Sequence, residues 1–550
     1  MEWNMKMMTH VKEDHAKAIR LCVLVLTLMV YSLKGAIAVA ELKLPAVFSD
    51  NMVLQRNRDF KVWGWAEAGE QITLTLGSNS IETECDLDKR WSVIVPAMEA
   101  GGPYIMTVSS QDTVSISDSL TVALTDTITV SNILIGEVWL CSGQSNMQWT
   151  MGRLKDIDHD IASADYPEIR MLTVPLLTTV VPQDSIPANK MPSWVSASPD
   201  TVHSFSAVAY YFGKELHERL RVPIGLINSS WGGSVAEAWT RAETLRAYPE
   251  LAPIASNLDS LARVQPEELR RYEERREAYN TAIQDSIPNP PPYPLYPRGP
   301  GTRDYPGGLY NAMIHPLVPY TIAGVIWYQG ESNSVRAVQY RTLFPAMIRD
   351  WRTVWGQGDF PFLYVQLANW DTKTIPRDGG WGSWPELREA QLMSLQVPNT
   401  GMAVITDIGD PKNIHPNNKW DVGRRLALNA LDMAYGYTVI RSGPIFSSMF
   451  RNGKTLRLRF RHVAEGLVTG NLDALSGFTI AGDDRVFHEA VARIKGKEIV
   501  VEHPDIANPA AIRYSWDDNP NGNLYNTAGL PASPFRTDSW PEITRGKLLP

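Results

Sequence analysis

At 550 residues, with 44% hydrophobic and 20% charged side chains, the chain has the composition of a folded protein long enough for two or three domains, which excludes disorder and collagen-like repetition. Fifty-two Lys and Arg stand against 60 Asp and Glu, a formal charge of -8, so no basic excess exists to release counterions from a nucleic acid, and nucleic acid is not an expected partner. Eighteen Trp and 20 Tyr exceed the needs of a core, and exposed rings of this kind stack on sugar faces, so the composition suggests carbohydrate.

Taken in chain order, a polar, basic stretch holding Lys6, Lys12, Lys17 and Arg20 leads into the apolar run Leu21 to Leu33, then Ala36, Ala38 and Ala40 before Glu41. This is the pattern of a cleaved signal peptide over residues 1–40, and the apolar run is too short to span a bilayer comfortably. The mature chain is therefore expected to be exported, to the periplasm or the extracellular space, without stable membrane insertion. Cys85 and Cys141 are the cysteines that follow, and without a C-x-x-C they are expected to be buried thiols.

Residues 41–131 read as an all-β domain of short alternating runs such as Phe60–Trp65 and Gln71–Leu76. From 132 to 440 the pattern changes. Apolar runs at Ile133–Leu140, Ile224–Ile227, Gly324–Tyr328, Phe360–Leu367 and Met402–Ile405 alternate with helical stretches near 207–221, 339–355, 385–396 and 421–435. Strands buried on both faces and separated by helices predict a three-layer α/β domain with a parallel sheet. An insertion at 257–306 interrupts it: a charged helical segment, then eight prolines between Pro288 and Pro306. It reads as a solvated helix with a stiff return loop, the other reading being a lid or substrate-side insertion. Residues 441–550 return to β alternation, as in Leu456–Phe460, so β-sandwich-like regions are expected to flank the α/β domain.

In a parallel sheet the loops leaving the carboxyl ends of the strands build the crevice. Those loops hold Gly143-Gln144-Ser145-Asn146-Met147, Trp231-Gly232-Gly233-Ser234, Gln329-Gly330-Glu331-Ser332-Asn333 and Asp410 to His415. A serine between a strand and a helix exposes its hydroxyl and aims its backbone N–H at an oxyanion, as acyl transfer requires, and Ser145 stands there. It needs a base, and His415 follows a strand end, whereas His315 precedes one. With no G-x-S-x-G, the α/β-hydrolase elbow is absent. No G-x-G-x-x-G or Walker loop suggests a nucleotide enzyme, and no H-E-x-x-H a metalloprotease.

Ile135-Gly136-Glu137-Val138-Trp139 through Gly143-Gln144-Ser145-Asn146-Met147, the run Trp327 to Asn333, and Ile414-His415-Pro416 with Lys419 resemble the sialate O-acetylesterase family of the SGNH hydrolases. The likeness runs from Leu42-Lys43-Leu44-Pro45 to Pro534-Phe535-Arg536-Thr537. It implies a flavodoxin-like SGNH α/β domain, a serine esterase that removes acetyl groups from sugar hydroxyls, and neither cofactor nor metal. Carried across, Ser145 is the nucleophile and His415 the base. The oxyanion hole falls on the backbone of Ser145 and Gly233 and the side chain of Asn333. Where the wider superfamily places the triad Asp, position 412 is Lys. Glu331 is the first candidate acid, Asp410 the second, and a Ser-His dyad leaning on a backbone carbonyl the third. Gln144 and Gln329 are read as substrate-binding.

The expected substrate is an O-acetylated sialic acid, for whose charge Arg388 or Arg336 would be the cationic contact. Acetylxylan or another acetylated hemicellulose is the alternative substrate. A non-catalytic carbohydrate-binding protein is the alternative from another class. Oligomeric state stays open.

Overall fold

The computed structural model describes residues 41–550 except 118–119, 191–192, 286, 288–289, 295, 372–381, 471–472 and 549–550. The signal peptide expected over residues 1–40 lies outside the described residues. Among those described, no helix is long and apolar enough to cross a membrane.

The chain divides into two compact units. In the smaller, formed by residues up to Leu44, Val62–Val93 and Met106–Thr129, the strand Gln71–Leu76 pairs antiparallel with Asn79–Glu84 through a two-residue turn. Gly77 opens that turn at φ 59°, a conformation glycine adopts without penalty. Ile72, Leu74 and Leu76 point inward.

The larger unit is built on a sheet whose strands are β1 (Leu120–Gly143, of which the residues from Val130 belong to this unit), β2 (Tyr166–Thr173), β3 (Val195–Ala197), β4 (Ile224–Ser230), β5 (Gly324–Tyr328), β6 (Phe362–Val365) and β7 (Thr400–Ala403). They lie in the order β7-β6-β5-β1-β4-β2-β3, parallel except where β3 runs against β2. Every residue of β4, β5, β6 and β7 is buried, as continuous apolar runs covered on both faces require.

Its helices include α1 (Ser145–Gln148), α2 (Ala207–Leu220), α3 (Leu258–Gln284), α4 (Ala337–Trp355), α5 (Ser383–Met393) and α6 (Trp420–Met433). Register assigns two of them to opposite faces. Trp139 of β1 stands opposite Gly324, so Trp327 of β5, three residues on, points to the other side. Trp139 meets Phe212 of α2, whereas Trp327 meets Phe344 and Trp351 of α4. The result is a helix-sheet-helix sandwich. Gly423 of α6 is a contact that only glycine permits, since a Cβ there would come within 2.7 Å of the Phe212 backbone nitrogen.

Ignoring the edge pair β2 and β3, the sheet reads β4-β1-β5-β6-β7, the flavodoxin-like order. The order reverses at β1, so its carboxyl end opens into the crevice. Strand β2, next to the edge, carries Pro167, Glu168 and Arg170, which hide its strand character in the linear pattern, and the edge strand β3 has three residues.

After α6 come two four-stranded antiparallel sheets, one of Ile445–Asn452, Thr455–Arg461, Glu498–Glu502 and Val491–Lys495, the other of Phe487–Glu489, Phe478–Ala481, Ala511–Tyr514 and Phe535–Arg536. Leu458, Ile480, Ile499, Ile512 and Phe535 fill the space they share. This is the expected β-sandwich-like region. It is tied to the α/β layers by buried polar links, among them Glu386 of α5, whose carboxylate accepts the N–H groups of Ile543 and Thr544 at 2.7 and 3.1 Å.

Candidate active site

Strand β1 ends at Gly143, whose φ of 138° and close approach to Tyr328 exclude a side chain: a Cβ would sit 2.2 Å from the Tyr328 carbonyl oxygen. The chain then turns through Gln144, pinned by its N–H to that same carbonyl at 2.9 Å, into α1, of which Ser145 is the first residue. A first-turn residue has no intrahelical acceptor for its N–H. The Ser145 hydroxyl and N–H therefore leave the sheet edge together.

His415, brought in by the loop between β7 and α6, places its Nε2 2.9 Å from Ser145 Oγ. Its ring stacks on Trp149 at 4.2 Å, 16° from parallel, and the guanidinium of Arg153 lies 5.1 Å from the Trp149 ring centre. Burial, then the charges of Lys419 and Arg153, pull the imidazole down from 6.5 to about 4, which leaves it neutral and able to accept a proton. Trp149 was not singled out from the sequence, although it stands four residues after Ser145, the spacing that returns to one side of a helical turn.

The structure brings Ser145 and His415 together but does not bring a carboxylate to the imidazole: among the described residues none pairs with His415. Glu331 is buried and takes the Asn146 amide at 2.7 Å. The same amide nitrogen donates to the Ile414 carbonyl at 3.0 Å, and the Asn146 carbonyl accepts the buried ammonium of Lys419. Asn146 thus ties Glu331 and Lys419 to the residue preceding His415. Burial raises the Glu331 carboxyl against the opposing Asn146 hydrogen bond and the Lys419 charge, and among the described residues its Oε2 has no hydrogen-bond partner. Burial likewise lowers Lys419 to about 7 against the pull of Glu331. Asp410 spends its carboxylate on the Lys412 N–H at 2.9 Å.

The Gly232 N–H is taken by Gln148 Oε1 at 2.8 Å, while among the described residues nothing accepts the Gly233 N–H. Gly233 sits at φ 76° beside the cavity. Asn333 lies behind it instead: its carbonyl accepts the Ala236 N–H at 2.9 Å and the Gln329 amide at 2.7 Å, and its amide donates to Glu237 at 2.9 Å. Gln329 is likewise interior, accepting from the Tyr340 hydroxyl at 3.0 Å. Neither side chain lines the cavity. Gln144 does, with its Oε1 fixed by the N–H groups of Gly330 and Ser332 at 3.4 and 3.3 Å.

Both arginines proposed for a substrate charge are buried elsewhere. Arg388 donates to the carbonyls of Leu367, Ala368, Asp517 and Asp518, and Arg336 pairs with Glu237 at 2.6 Å. The arginine that lines the cavity is Arg303. It comes from the Pro-rich return segment after α3, where no periodicity marks it, while α3 itself pairs its own charges, as Arg271 with Glu267 and Glu268. The cavity holds about 460 Å³ between Ser145, His415, Gly232, Gly233, Glu331 and Arg303. Among the described residues no group of three or more His, Cys, Asp or Glu is arranged to hold a metal ion.

A neutral imidazole on a serine hydroxyl, beside an open oxyanion site, is equipped for acyl transfer. Residues 302–432 match the family model described as carbohydrate esterase, sialic acid-specific acetylesterase. The sialate O-acetylesterases of Mus musculus and Homo sapiens are 34% and 32% identical to the chain, over 71% and 70% of it and 73% and 70% of their own lengths. The crystal structure of a carbohydrate acetylesterase from Xanthomonas citri matches with a TM-score of 0.75 at 37% identity, covering 91% of this chain and 100% of that one.

Proposed function

Because this chain belongs to the sialate O-acetylesterase family and is a carboxylic ester hydrolase, we propose that it removes acetyl groups from O-acetylated sialic acids through an acetyl-enzyme on Ser145. The observation that carries the mechanism is the 2.9 Å contact between His415 Nε2 and Ser145 Oγ at the wall of the cavity. As Oγ bonds to the acetyl carbon, Nε2 takes its proton, and the N–H groups of Ser145 and Gly233 hold the oxyanion. When the intermediate collapses, the bond from the acetyl carbon to the sugar oxygen breaks and His415 protonates that oxygen. Water then attacks the acetyl-enzyme, His415 taking its proton and returning it to Ser145 as acetate leaves.

In place of a triad carboxylate, the imidazole is oriented by the face of Trp149, while Asn146, by holding the Ile414 carbonyl, fixes the backbone that carries it. Glu331 and Lys419 act through Asn146, as positioning residues. Gln144, its carbonyl already committed, has its amide donor left for substrate. The reading includes export, resting on the signal-like residues 1–40.

The test is acetate release by residues 41–550 from O-acetylated sialic acid and from acetylated xylan, each beside Ser145→Ala. Faster release from the sialic acid, lost in the variant, is the expected result. A preference for xylan would move the substrate to hemicellulose, and no Ser145-dependent release from either would sink the substrate claim and favour the carbohydrate-binding alternative.

A further inference from the structure

One cation of the cleft keeps hydrogen-bond donors to spare. Arg303 lines the cavity with Ser145, His415 and Gly233, and its Cζ lies 2.9 Å from where a Cβ on Gly233 would stand. The guanidinium is therefore packed over the loop whose N–H is free for the oxyanion. Its side chain is 49% exposed, and its ion pair with Asp304 is made through Nε at 3.8 Å, too long for a hydrogen bond, which leaves the two terminal amino groups out of the pair. Among the described residues no acceptor takes any of its N–H groups. Arg336 and Arg388, by contrast, are buried against the protein's own acceptors.

An arginine presents five donors in a planar fork that matches a carboxylate. Left without an acceptor at the mouth of a cleft, in a chain of formal charge -8 that repels anions at long range, that fork is a local attractor for a negatively charged ligand. The segment that carries it is anchored behind the cleft, with the Thr302 hydroxyl donating to the Gly299 carbonyl at 2.8 Å and the Thr302 carbonyl accepting from Thr178 at 3.2 Å. The return loop after α3 thus delivers a charge to a fixed place.

We propose that Arg303 is the specificity-determining residue of this cleft, binding the carboxylate of an acidic acetylated sugar while Ser145 attacks the ester. The inference rests on the esterase reading above and gives the 257–306 insertion a role on the substrate side. It also supplies a second reason for glycine at 233, since a side chain there would displace the guanidinium.

The experiment compares acetate release from an O-acetylated sialic acid and from its carboxyl methyl ester, with 4-nitrophenyl acetate as a neutral reference, in the wild-type protein, Arg303→Met and Arg303→Lys. The readout is the ratio of kcat/KM for free acid over methyl ester, in which any loss of folded protein cancels. A charged hydrogen-bonded contact predicts a wild-type ratio of about 10 to 100, falling to about one in Arg303→Met, with Arg303→Lys between them. A wild-type ratio near one, or a ratio unchanged in Arg303→Met, would overturn the assignment while leaving the esterase standing. Absence of Ser145-dependent hydrolysis of all three substrates would instead overturn the esterase reading itself.

Discussion

The imidazole of His415 lies 4.2 Å from the indole of Trp149, the two rings 16° from parallel. In a hydrolase of this kind a carboxylate on the second ring nitrogen normally fixes the orientation and tautomer of the base. Here an aromatic face limits the ring's rotation. Trp149→Ala should therefore lower kcat by about tenfold or more with less change in KM, and Trp149→Phe should restore most of it, because a second flat ring reproduces the stack. Equal loss in both variants would contradict a stacking role.

Glu331 touches Asn146 rather than His415, and this separates it from a triad acid. Replacing a carboxylate that sets the tautomer costs about 10⁴-fold in kcat. Glu331→Gln keeps an acceptor for the Asn146 amide and should cost less than about 10²-fold. A loss near 10⁴ would put Glu331 back at the imidazole.

The sign of the pH dependence follows from a base that must be neutral. His415 sits near 4, first through burial and then through Lys419 and Arg153, so kcat/KM should be sustained above about pH 4 and fall as the pH drops through that value. Lys419→Met removes the larger of the two charge effects and should move the acid limb upward, toward 6.5. A wild-type limb already at 6.5, unmoved in the variant, would contradict this arrangement.

Gly233 combines a φ of 76° with a guanidinium 2.9 Å from its missing Cβ. Gly233→Ala displaces the guanidinium and strains the left-handed backbone that presents the N–H, so kcat should drop by about 10²- to 10³-fold, the cost of losing one oxyanion donor. Gly232→Ala has no left-handed backbone to strain, its Cβ meeting Gln148 Oε1 at 3.0 Å and Ser145 Cβ at 3.3 Å, and it leaves the Gly233 N–H in place, so it should lose less. Steady-state kinetics on 4-nitrophenyl acetate separates the two.

Much of this was legible in the chain. Strand β5 occupies the run Gly324–Tyr328 that the apolar pattern marks, and the groups that meet at Ser145 stand where the rule of carboxyl-end loops puts them. Distance along the chain carries no information about side-chain direction, however. The loop after β5 holds both Glu331 and Asn333, yet the turn that follows buries Asn333 behind Gly233 and hands Glu331 to Asn146. Arg388 is turned away from the cavity for a related reason. Its guanidinium satisfies four carbonyls of chain segments far apart in sequence, which no local pattern records.

That role makes a stability prediction. Arg388→Ala would strand the buried carbonyls of Leu367, Ala368 and Asp518 at about 1–3 kcal/mol for each group left unsatisfied, so denaturant unfolding should show a loss of about 3 kcal/mol or more. The folded molecules that remain should keep their kcat, since Arg388 does not reach the cavity. A variant of undiminished stability and reduced kcat would make Arg388 a substrate ligand after all.

The central claim is that Ser145 carries the acetyl group, and the most direct measurement is turnover of O-acetylated sialic acid and of 4-nitrophenyl acetate by Ser145→Ala, shown by circular dichroism to be folded, beside the wild-type protein. The account predicts a fall of about 10⁴- to 10⁶-fold in kcat on both substrates. A folded variant that keeps a substantial fraction of wild-type turnover on either would contradict it.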